Sequence, residues 1–316
     1  RILELSGKGG TVSRFSIHAD AFLAVISPVY WIWSDVRALL IIQTVALGSG
    51  AIWVYLITKK VLESKILALN VSLMYLLNPG MQWTNLYDFH SVAVAIPFLL
   101  GTVYMFLNGK WKWYWTLAVL AMITKEQVSL WIAMLGIWAL MRRQWKVGIW
   151  SVVIGLMWFV VCVFVIMPYM TTGGEKHWAW SWYGVSEQSA SVGANDIRGI
   201  FKNFGMSFIG KLVNYLKMLM ENYGYLPLLG LPWVMLASGD LVINVLSGQG
   251  QMVGLNQHYD SAIIPALILG VVYGVKLMRI IMEKYWVKEK IAIQGMVIGG
   301  LMAWGLIMSL RGNYFL

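Results

Sequence analysis

Charge is what this chain of 316 residues lacks, since Asp, Glu, Lys and Arg together make up only 12% of it. The runs Ala38–Thr58, Ser91–Leu107, Val147–Met170 and Ala262–Met278 carry almost none. A helix rises ~1.5 Å per residue, so about 20 apolar residues cross a hydrocarbon core ~30 Å thick. Runs of this length exclude an ordinary soluble domain and predict a polytopic helical membrane protein. There is one cysteine, Cys162, inside an apolar run, which excludes a disulfide framework and a Cys-x-x-Cys site. P-loop spacing, Gly-x-Ser-x-Gly and His-Glu-x-x-His are all missing, so soluble nucleotide chemistry is not expected. An initiator Met and a signal-peptide pattern are absent too, and both ends read as cuts through a longer protein.

What is present fits a bilayer. The chain is 59% hydrophobic, with 18 Trp and 15 Tyr, and its net charge is +10. In a soluble protein that charge would suggest nucleic acid; here its sidedness explains it, and no nucleic-acid partner is expected. Basic turns lie at Lys59–Lys65, Lys110–Lys112, Arg142–Lys146 and Lys284–Lys290. The positive-inside rule places them in the cytoplasm. The stretch up to Arg37, the turns Asn78–His90 and Lys125–Gln127, and the loop Thr171–Tyr223 then face outward. Counted this way, the inner side holds 13 Lys/Arg against 4 acids and the outer side 11 against 10. An outward-facing acidic site would give that excess, and so would solvated loops.

The predicted spans are 37–58, 66–77, 90–107, 113–124, 128–141, 147–170, 259–281 and 291–310. The segment His18–Trp33 is short and carries His18, Asp20 and Pro28, so it reads as an outer juxtamembrane helix rather than a crossing. Parity requires an even number of crossings between Thr171 and Gln257: Tyr225–Ala237 and Asp240–Leu246 form a short hairpin, or neither crosses. In Ser207–Met220 the residues Phe208, Leu212, Val213, Leu216 and Leu219 recur at helical spacing opposite Lys211 and Lys217, which reads as a helix on the outer membrane surface. The fold class is an all-α transmembrane bundle. Residues 1–316 form one domain truncated at both ends, with an outer loop and juxtamembrane helix over 1–36 and a long outer loop over 171–224. The expected location is the plasma or inner membrane.

Polar clusters at the outer helix ends are the candidate sites. Asp88 and His90 in Asn85-Leu86-Tyr87-Asp88-Phe89-His90 suit a general base with its partner or two ligands of a divalent cation; alternatively Asp88 caps the helix beginning near His90. Lys125 and Glu126 join two apolar helices. Lys125 is a point charge suited to a phosphate, or the two residues neutralise each other in a wet turn. His258, Tyr259 and Asp260 open a span, where Tyr259 also fits the interfacial aromatic belt. His18 and Asp20 on the juxtamembrane helix are ligand contacts or a capped helix start. The run His177–Tyr183 offers aromatic faces to a sugar or isoprenoid, or simply anchors at the interface.

These motifs, together with Ser27-Pro28, Asn78-Pro79 and Pro265, resemble the bacterial and archaeal membrane family called domain of unknown function 2079, over essentially the whole chain. That family is related to the GT-C superfamily of polyprenyl-phosphate-sugar-dependent glycosyltransferases. The resemblance implies catalysis on the extracytoplasmic face and a lipid-linked sugar donor. Asp88, His90 and Glu126 would be catalytic, with Asp88 and His90 the residues for any divalent metal. Lys125 would meet the phosphate, and His258, Tyr259, His18 and Asp20 the substrate. The superfamily's base is a carboxylate of the first outer loop, where only Glu4 and Asp20 remain. A transporter or flippase of a lipid-linked precursor is the alternative, but such proteins show interrupted helices with mid-membrane charges, whereas here the charges crowd one surface.

Overall fold

The computed structural model describes residues 4–7, 10–170, 206–247, 249–285 and 291–311. The His177–Tyr183 run and Lys288 and Lys290 lie outside them. The protein is an all-α bundle, preceded by one small antiparallel hairpin of Glu4–Gly7 with Gly10–Ser13 in a stretch expected to be loop. Four helical segments are long and apolar enough to cross a membrane: Arg37–Leu62, Trp145–Met170, Leu226–Leu246 and Ile264–Tyr285. Shorter apolar helices include Lys65–Leu76, Ser91–Leu107 and Val128–Met141.

Local chemistry sets the ends. Glu63 takes a left-handed backbone (φ 54°) to stop the first long helix, and Ser64 caps the next one by accepting from Leu67 N. Asn78 caps Pro79–Leu86, with Pro79 at its first position, where a missing N–H costs nothing. Small residues let the helices approach closely, as membrane packing favours. A Cβ on Gly136 would meet the Gly148 carbonyl oxygen at 2.8 Å, and one on Gly155 would meet the Ser129 carbonyl oxygen at 2.6 Å. The bundle is apolar on its outside as well. Trp131, Tyr75 and Tyr114 are fully buried, while Ile52, Ile66, Trp150 and Val165 are exposed. Two of the large interior hydroxyls are paired, Tyr75 with the Leu47 carbonyl at 2.7 Å and Tyr114 with Ser151 at 2.6 Å, as a low-dielectric interior favours.

Three expectations are corrected. The juxtamembrane segment is two short helices, Phe22–Ile26 and Val29–Ile32, and His18 and Asp20 lie in the turn before them. The helix expected from residue 259 begins at Ile264, because 254–263 is a run of bends and turns. Of the two alternatives for Tyr225–Leu246, the short internal hairpin does not form: Leu226–Leu246 is one segment, and Met206–Glu221 pairs with it. Tyr225 and Gly224, both at positive φ, make the bend. Asn244 Nδ2 donates across the arms to the Tyr215 hydroxyl at 3.1 Å. The first arm packs into the bundle through Tyr215, Leu219 and Met220 and leaves Ile209 and Val213 exposed. The second arm alternates between tight 3-10 and α turns, as Pro227 and Pro232 dictate.

Candidate functional site

Turns from four parts of the chain meet at one end of the bundle. The Phe22 N–H donates to the Ile123 carbonyl at 2.8 Å, tying the N-terminal turn to the one that carries Lys125 and Glu126. Both oxygens of Glu126 are then used. Oε1 accepts from His18 Nδ1 at 3.1 Å, and Oε2 accepts from the Ala19 N–H at 3.1 Å. Burial alone would raise the Glu126 carboxyl, but the charge and hydrogen bond of His18, helped by Lys125, outweigh it and hold it at about 2. Glu126 is an ionised carboxylate held in position by one protein donor on each oxygen.

Asp20 is closed off in another way. Its Oδ2 accepts from Arg14 Nε at 3.1 Å and from the Ser91 hydroxyl at 3.2 Å, and its Oδ1 is buried without a partner. It does not cap the following helix, whose N-cap is Ala21. Nor does Asp88 cap the helix after it, because the N-cap is His90. Asp88 is 76% exposed and turns its carboxylate to His90 Nδ1 at 3.3 Å, while that Nδ1–H donates to the Asp88 carbonyl at 3.0 Å. The His90 N–H donates to Gln43 Oε1, and Gln43 Nε2 donates to the Thr84 carbonyl, so a buried glutamine of the first long helix fixes this turn.

His90 and His258 are stacked with ring centroids 3.4 Å apart and planes 17° from parallel. Tyr87 and Tyr259 flank the stack, at 5.6 and 4.4 Å from the His258 ring. His258 is 6% exposed, and its Nδ1 has no partner among the described residues. Burial, reinforced by the charge of Lys125, lowers the His258 imidazole; burial also takes His90 down to about 4, against the Asp88 carbonyl. Both rings are therefore neutral near pH 7.

Lys125 is the least satisfied group. It is 6% exposed, and its ammonium makes no hydrogen bond or ion pair among the described residues, including none with its neighbour Glu126. Burial lowers it from its ordinary value, while the charges of Glu126, Asp20 and Asp240 oppose that. Asp240 was not singled out from sequence. It lies fully buried in the second arm of the hairpin, with Oδ1 accepting from Gln127 Nε2 at 2.9 Å and Oδ2 unpartnered. It therefore belongs to the same end of the bundle as Lys125. Arg14 and Gln43 were also missed. A lone carboxylate and a lone amide inside apolar stretches are the signal that could have found Asp240 and Gln43.

These residues do not fit a metal. Among the described residues no group of three or more His, Cys, Asp or Glu is arranged to hold one. Asp88 and His90 face each other rather than a shared point. Imidazole lone pairs lie in the ring plane, so two nearly parallel rings 3.4 Å apart aim past a common ion instead of converging on it.

The model of a family described as "Predicted membrane protein (DUF2079)" matches residues 2–312 of the chain. No curated protein and no solved structure matches it.

Proposed function

The chain belongs to this family of predicted membrane proteins, and on that footing we propose that it is a multi-pass glycosyltransferase of the cell membrane, of GT-C type. It moves a sugar from a polyprenyl-phosphate donor to an acceptor hydroxyl on the extracytoplasmic face. The observation that carries this reading is Lys125, a buried ammonium whose side chain makes no hydrogen bond among the described residues, in the field of Glu126, Asp20 and Asp240. An unpaired buried cation is costly unless an anion joins it. A phosphate at that point gives Lys125 its partner and takes up negative charge as the glycosidic bond breaks, and Lys125 stabilises that charge. His258 and Tyr259 line the approach, and Asp88 and His90 form its rim.

The test uses the full chain in proteoliposomes with undecaprenyl-phosphate-linked radiolabelled hexoses. Native protein is expected to release undecaprenyl phosphate and labelled product, and Lys125→Met to lose this while unfolding at the native temperature. Failure of the native chain to release lipid phosphate from any hexose donor would overturn the reading.

One observation favours transport instead. Leu226–Leu246 is an interrupted apolar segment holding a fully buried carboxylate, Asp240, as transporter helices do at their sites. A flippase would move intact donor between leaflets without releasing lipid phosphate, so the same assay with leaflet-selective extraction separates the two.

A further inference from the structure

We propose that the proton acceptor of this site is His18, acting through Nε2 with Glu126 as its positioning residue. This rests on the glycosyl-transfer reading above. A base must reach the acceptor hydroxyl, and the carboxylates fail that requirement in different ways. Both Glu126 oxygens are engaged, by His18 and by the Ala19 N–H. One Asp20 oxygen is held by Arg14 and Ser91, and the other has no accessible surface. Asp88 is open but 76% exposed, out at the rim.

His18 meets the requirement. An ionised carboxylate only accepts, so the 3.1 Å contact to Glu126 puts a proton on Nδ1, and in the neutral ring the lone pair is then on Nε2. The side chain is 30% exposed while its orienting carboxylate is 9% exposed, so the ring is the more open partner of the pair. A base oriented by a third group through its far nitrogen is the arrangement by which imidazoles take protons from hydroxyls on unrelated folds. The second oxygen of Glu126, bound to the peptide N–H of residue 19, prevents the carboxylate from swinging away. The charged and titratable groups around His18 are Arg14 and Asp20 of its own segment, Lys125 and Glu126 of the facing turn, and His258.

The step balances without further reagents. The acceptor oxygen forms a bond to the anomeric carbon while its proton passes to His18 Nε2. The bond from the anomeric carbon to the phosphate oxygen breaks, and its electron pair leaves on the lipid phosphate beside Lys125. The imidazolium, steadied by Glu126, then returns its proton to water.

Two measurements test this. The first needs no substrate: in nanodiscs containing the full chain with ¹⁵N-labelled histidine, assigned by His→Gln variants, the neutral form of His18 is expected to be the Nδ1–H tautomer, a preference that Glu126→Ala abolishes. A His18 that is predominantly the Nε2–H tautomer overturns the dyad even if the protein transfers no sugar. The second is the pH profile of transfer. His18→Gln is expected to lower kcat about 10²- to 10⁴-fold and flatten the acidic limb. Added imidazole should restore part of the rate to His18→Gly but none to Glu126→Ala. Transfer within threefold of native in His18→Gln, or an unchanged acidic limb, overturns the proposal while leaving the glycosyltransferase reading intact. A native chain that transfers nothing removes that reading, and with it the catalytic role.

Discussion

The bundle carries two histidine–carboxylate pairs at one end, and they are opposites. In His18–Glu126 the carboxylate is buried and the imidazole is the more open partner, at 9% against 30% exposure. In His90–Asp88 the carboxylate is 76% exposed and the imidazole is the more closed, at 21%. Burial decides what each can do. A carboxylate in a low dielectric, with both oxygens bound, fixes its partner's tautomer and is felt strongly. One in water is screened, and its pairing is worth little. His90 is held mainly by the Asp88 carbonyl, by Gln43 behind its backbone and by the His258 ring in front. The first pair is built to exchange a proton at its free nitrogen; the second is built to hold a turn in place.

The sharpest way to break this contrast is kinetic: the 10²- to 10⁴-fold loss expected for His18→Gln should have no counterpart in His90→Gln, which should retain the acidic limb. Equal losses in the two variants would erase the distinction. Stability is the next lever. Removing one partner of a buried pair costs about 3–5 kcal/mol, so Glu126→Ala should unfold well below native in detergent. Asp88→Ala should stay within about 0.5 kcal/mol of native, as exposed substitutions do. Thermal melts of the two proteins side by side check this.

Acid separates the pairs further. Glu126 is held at about 2 in the fold, against its ordinary 4.5. The unfolded chain thus takes up protons before the folded one as pH falls. The contribution of Glu126 is complete above about 4.5 and is lost towards 2, so the melting gap between native and Glu126→Gln should narrow over that window. Asp260 runs the other way. Burial raises it to about 7 from 3.8, so the folded form keeps its proton longer than the unfolded one. Native stability should fall as pH rises from about 4 to 7, and Asp260→Asn should gain on native across that range. A gap that does not depend on pH would count against either assignment. The smallest effect is topological. Cysteine at Tyr87 should react with an impermeant thiol reagent from outside the cell, and cysteine at Gln144 should not.

The helices were legible because period and hydropathy are local properties. Ser64, Asn78-Pro79 and the basic turns marked where they end. Asn78–His90, Lys125-Glu126 and His258 were legible as polar punctuation between apolar runs. What escaped was pairing. Nothing local indicates that Glu126 would choose His18 over Lys125, since that depends on how the N-terminal turn docks through Phe22 on Ile123. Lys211 and Lys217 marked the polar face of the first arm, while the contact that ties it to the second, Asn244 to Tyr215, joins residues far apart in the chain and left no local signal. Asp88 looked like a cap because Asp often is one, but the exposed turn placed His90 at that position instead.

The site's bonds also join residues far apart along the chain. Ser91 and Asp20 are 71 positions apart, His18 and Glu126 108, Gln127 and Asp240 113, and Thr84 and Ser261 177. Contacts of long sequence separation close late, because the entropy of large loops must be overcome first. During synthesis the His18–Glu126 pair therefore has both members in place before Asp240 or His258 has been made. Lys125 thus has Glu126 and Asp20 beside it well before Asp240 arrives or the stacked pair of His90 with His258 can form.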